Sequence, residues 1–128
     1  MLKMNKVLII AFLISSQLIY GQLTSTMEIS RLEVKEQQLV SENSRLMQEE
    51  LLLEANLIAD ELIKLNPESC NYNYRKGFAV LYAFQHYELA RTHLEKAVLM
   101  TKSNYDAFSK NEQAAPHDAI YHLAVCEH

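Results

Sequence analysis

The chain opens on an apolar run, VLIIAFLI (Val7 to Ile14), with Lys3 and Lys6 before it and SSQLIYGQ after it. A positive start, a short apolar centre and a polar exit predict a secretory signal peptide over residues 1–21, cleaved near Gly21–Gln22. Ile19 suits poorly the small residue wanted two positions upstream of that bond. The apolar stretch to Tyr20 contains Ser15, Ser16 and Gln17 and falls short of the ~20 residues that span a bilayer. No cysteine lies near the exit, so a lipoprotein signal is not expected.

Residues 22–128 then read as one helical domain. From Thr26 to Leu65 there is no Pro or Gly, and leucines recur at 32, 39, 46 and 53 with polar residues between. That heptad spacing invites a coiled coil but is short for one. Ser41 to Ser44 holds poor helix formers, which predicts a break or a weak point in one long helix. Pro67 ends this stretch, because it cannot continue the hydrogen-bond ladder. An aromatic helix follows over Cys70–Gln85, with Gly77 in its middle. A mid-helix Gly is costly unless a neighbouring helix must come close. Gln85–His86 forms a polar break, and YELARTHLEKAV begins a helix running to about Lys102. Ser103 to Pro116 reads as a polar loop, long for a helix–helix connection. A last helix restarts at Pro116, a favoured first-turn residue.

Composition agrees. Two Gly, two Pro and no Trp leave few turn residues for a β-rich domain, while Ala, Leu, Glu, Gln, Lys and Met abound. The expected class is all-α. Net charge is −4 with no basic cluster, so nucleic acid is not an expected partner.

Two segments align at an offset of 35 residues: Ala55 on Ala90, Ala59 on Leu94, and Leu62 on Ala97. With Gly77 ahead of Ala90, and Ala124 in the corresponding place ahead of the chain end, the pattern resembles the tetratricopeptide repeat family. ANLIADELIKLNP and YELARTHLEKA resemble its second helix. YNYRKGFAVLY and AIYHLA resemble its first. The first helices lack Trp, and the second unit lacks its closing Pro. The resemblance covers about Leu39 to His128. It implies antiparallel helical hairpins stacked as an α-solenoid, with an incomplete last repeat. It also implies a non-catalytic scaffold for other envelope proteins or peptides, in the periplasm or on the periplasmic face of the outer membrane. The leader, NPES, LEKAV and the loop leading to YHLA also resemble the N-terminal repeat region of Bacteroidetes OmpA-type envelope proteins. That implies the alternative, an N-terminal segment of a peptidoglycan-anchored outer-membrane protein supporting secretion or gliding machinery. Membrane association would then run through partners or downstream domains. The apolar stripe Ala119, Ile120, Leu123 and Ala124 has no later helix to cover it, which predicts a fragment prone to self-association.

Catalytic chemistry is not indicated. No nucleophile–base pair, Gly-rich phosphate loop or HExxH motif occurs, and no cofactor is expected. His86 and His93 are two turns apart, too far for one metal ion without other ligands, and His117 and His122, five apart, miss the same-face His-x3-His spacing, so rim positions are expected. Aligning Gly77 with Ala124 puts Cys70 and Cys126 about 13 Å apart along neighbouring helices, beyond the ~7 Å a disulfide spans. Two unpaired thiols, or an intermolecular bond, follow. Among the aromatics Tyr72, Tyr74, Phe78 and Tyr82, Phe78 is assigned to the core. Tyr72 and Asn73 are the candidate groove residues.

Overall fold

The computed structural model describes residues 2–128, with side chains from Lys6 onward; Met1 and the Lys3 side chain of the expected leader lie outside the described residues. The chain divides into two units, residues 1–35 and 36–128. It is mostly helical: α1 (Leu2–Gln48), α2 (Leu52–Leu65), α3 (Cys70–Phe84), α4 (Tyr87–Ala97) and α5 (Ala119–Cys126). Two short strands, β1 (Thr101–Lys102) and β2 (Ala115–Pro116), pair in parallel, Thr101 opposite Ala115.

In the first unit the helix does not end at Tyr20 or at Gly21. Its N-terminal part is long and apolar enough to cross a membrane, by length and composition alone, and a signal sequence meets the same test.

In the second unit, α1 passes straight through Ser41–Ser44. The expected break does not form because Asn43 and Ser44 are buried and spend their polar atoms inside the fold. Asn43 Nδ2 donates to the Ala55 carbonyl at 2.8 Å. The turn comes later, at Glu50, whose φ of 59° is left-handed. Gln85 repeats this after α3, with φ 52° and its N–H donating to Leu81 O at 3.1 Å. The heptad leucines share no seam, since Leu46 is buried while Leu32 and Leu53 are exposed.

Helix α3 packs on both α2 and α4, and α4 packs on α5. Ala55, Ala59, Leu62, Ala90, Leu94 and Ala97 are all fully buried, as the 35-residue alignment expects. Gly77 faces α4 so closely that a Cβ there would lie 2.7 Å from Leu94 Cγ and 3.3 Å from Ala90 O. Ser69 caps α3, accepting from Tyr72 N–H at 3.2 Å.

The later segments differ from expectation. Helix α4 stops at Ala97, not near Lys102, because Thr101 and Lys102 join β1. Pro116 sits in β2, and α5 starts at Ala119. The stretch between the strands is polar but ordered. Buried Glu112 accepts from the Asp106 and Ala114 N–H groups, each at 3.1 Å, and pairs with Lys102 at 2.6 Å. Gln37 clasps the loop from α1, donating to Phe108 O at 2.7 Å and accepting from Lys110 N–H at 3.1 Å. It is a compact excursion closed at its neck by the strands, like an Ω-loop.

Candidate functional site

Tyr74, Phe78 and Tyr82 stand four residues apart, so they share one face of α3. Their rings form a row, with centroids 5.9 Å apart for Tyr74–Phe78 and 4.8 Å for Phe78–Tyr82. His122 of α5 closes the row edge-on, 5.0 Å from Phe78 and 5.3 Å from Tyr82. Opposite stand Met47 and Gln48, at the end of α1. Together they bound two hollows that share Met47, Gln48 and Phe78. The inner, of about 190 Å³, reaches Ser44, Tyr105 and Ala107. The outer, of about 470 Å³, reaches Glu50, Leu52, Tyr82 and His122. Phe78 and Met47 are half-buried and Tyr82 is exposed, so apolar surface faces solvent here.

The inner hollow is floored by Arg75, which is 1% exposed. Its Nη1 donates to Asn43 Oδ1 at 2.9 Å and Ser44 Oγ at 2.8 Å. Its Nη2 donates to Ala107 O at 2.6 Å, and its Nε to Asn71 Oδ1 at 2.9 Å. Tyr105 donates to the same Asn71 oxygen at 2.6 Å. Burial pulls the Arg75 pKa below the usual guanidinium value, while the neighbouring Tyr105, Tyr72 and Tyr74 act in the opposite sense. All these acceptors are neutral, so Arg75 bolts α1, α3 and the excursion together without a carboxylate.

Tyr82 Oη and His122 Nδ1 lie 2.7 Å apart, and His122 Nε2 lies 3.7 Å from Asp118 Oδ2. With Tyr82 donating, the ring proton sits on Nε2, toward Asp118. The trio has the outline of a nucleophile–base–acid chain but not its electrostatics. Burial pushes the Tyr82 pKa up, and burial pulls that of His122 down despite Asp118. Both shifts disfavour the charged forms, and the hydrogen bond joins the Tyr82 and His122 rings between α3 and α5. Among the described residues, no three His, Cys, Asp or Glu side chains converge as a metal site. Cys70 and Cys126 are free and buried.

Tyr72 and Asn73 do not line this groove, because both are 1% exposed. Tyr72 packs with Val40 and Leu62 and donates to Glu36. Asn73 donates to the carbonyls of Pro67 and Ser69, each at 2.8 Å, and its Oδ1 meets His93 Nδ1 at 2.9 Å. Tyr72 is two residues from Tyr74, so the helix turns it to the opposite side. The four-residue spacing of Tyr74, Phe78 and Tyr82 was the available signal for the groove. Met47, Gln48 and His122 had none, since they meet that face only through tertiary packing.

Burial also lowers the pKa of His93, and Lys76 and Lys96 add to that effect. Both folded histidines therefore bind protons less readily than their unfolded counterparts, which titrate near 6.5. Below about pH 6.5 the unfolded chain takes up more protons, so stability falls until the folded pKa values are passed. The urea midpoint is expected to be lower at pH 5.5 than at pH 7.5, and His93→Gln with His122→Gln is expected to shrink that gap. An unchanged gap in the double variant would refute the assignment.

The site thus belongs to a mostly helical domain with an aromatic groove between three of its helices. No known protein family, curated protein or solved structure matches the chain.

Proposed function

We propose that the chain is an exported, non-catalytic scaffold of tetratricopeptide-like hairpins that holds an apolar segment of a partner protein in the groove. The observation that carries this is the row of half-buried Phe78 and exposed Tyr82, backed by buried His122, opposite Met47. Aromatic rings and a methionine give large contact area with little polar desolvation, which suits peptide capture. The repeat reading draws support from the two left-handed corners. Glu50 and Gln85 stand at the same 35-residue offset as Ala55 and Ala90. The 47 residues of α1 depart from the repeat pattern. The envelope setting rests on the apolar leader.

Selection of a displayed peptide library on the purified chain tests this. Enriched peptides are expected to carry apolar or aromatic anchors and to bind at micromolar strength. Phe78→Ala is expected to weaken binding at least ~10-fold, or ~1.4 kcal/mol, with helicity unchanged. Binding that ignores Phe78 and Tyr82 substitutions would reject the groove.

A further inference from the structure

We infer that residues 7–27 are a membrane-spanning helix that stays attached to the chain, so the surface they present is covered by the hydrocarbon of a bilayer. This differs from the cleavage expected from the leader alone, and it does not depend on the groove.

The uncharged run is longer than its apolar centre. No charge occurs between Lys6 and Glu28. At about 1.5 Å per residue a helix over residues 7–27 is about 31 Å long, matching the ~30 Å thickness of the hydrocarbon layer. Val7, Leu8, Ile9 and Ile10 are consecutive and so point all round the helix, each more than half exposed. The same holds for Phe12, Leu18, Ile19 and Leu23. A helix apolar on every side needs a protein core or a membrane around it, and the 18-residue window of mean hydropathy 1.7 is 0% buried by this chain.

Four of the polar residues in the run are suited to a bilayer. Ser15 and Ser16 donate to Phe12 O at 2.9 Å and Leu13 O at 2.8 Å. Thr24 donates to Tyr20 O at 3.0 Å, and Thr26 to Gln22 O at 2.8 Å. Each of these four hydroxyls is satisfied by its own helix, which lowers the cost of placing it in lipid. Signal-peptide cleavage has weak support by comparison. Gly21 is inside the helix with ordinary φ, and Ile19 stands where a small residue is wanted.

The test is expression of the full chain, tagged at its C-terminus, in a bacterial host. The protein is expected to float with lipid on a density gradient after an alkaline carbonate wash. Its intact mass is expected to include the leader, 14.8 kDa plus the tag. Ile14→Arg is expected to abolish flotation. A soluble chain beginning near Gln22, a pellet that does not float, or an Ile14→Arg chain that still floats would each overturn the inference. Peptide binding in the groove is read separately, so failure of one proposal leaves the other standing.

Discussion

Arg75→Ala is expected to lower the unfolding free energy by about 2–4 kcal/mol, a large share of the 5–15 kcal/mol typical of a domain. The guanidinium is buried and ties together Asn43 and Ser44 of α1, Asn71 of α3 and the Ala107 carbonyl. Alanine removes every one of those donors at once and leaves a void. An acceptor stranded out of water costs about 1–3 kcal/mol. Ser44 also donates to Ala107 O, so part of the link survives and the losses are not additive. Arg75→Met is expected to cost less, because it fills the volume and removes a cation that has no carboxylate beside it. Urea unfolding followed by helical circular dichroism checks both. A loss below about 1 kcal/mol in the alanine variant would show that the bolt carries little stability.

Gly77→Ala is expected to destabilise the fold by about 1–2 kcal/mol, although alanine favours an isolated helix by about 1 kcal/mol. The added methyl would sit 2.7 Å from Leu94 Cγ, and Leu94 is fully buried with little room to rotate. Leu94→Ala alone is expected to cost about 2–5 kcal/mol through the cavity it leaves. Combined, the two should cost at least ~1 kcal/mol less than their sum, since the new methyl enters the space the leucine vacates. Strict additivity in the double-mutant cycle would mean that the α3–α4 approach is looser than described.

Much of this fold could be read along the chain. Gly77 announced its close contact because a mid-helix glycine has a cost that needs a reason. The inward set from Ala55 to Ala97 followed from spacing, and Pro67 and Gln85–His86 marked real ends. Other features depended on distant partners. Arg75 reads as a solvated helix residue, since nothing local says that Asn43, Ser44 and Ala107 will surround it. Asn43 and Ser44 read as helix breakers for the same reason. Ser103 to Pro116 looked like an open loop because the side chains that order it are polar. In the groove, the Tyr74–Phe78–Tyr82 row was present as a spacing. Tyr72 and Asn73 were chosen instead, although helical rotation carries them to the buried side.

The contact between Arg75 and the Ala107 carbonyl also sets an order of assembly. A chain made from its N-terminus exposes Asn43, Ser44 and Arg75 well before residue 107 exists. Gln37 waits even longer, for Phe108 and Lys110. These pairings are non-local, so they form only after the loop-closure entropy of long separations has been overcome. Residues 36–84 can therefore make helices early but cannot lock until the last third of the chain arrives. A nascent chain of this kind stays loose, and open to proteases and chaperones, until residues 107–110 have been made.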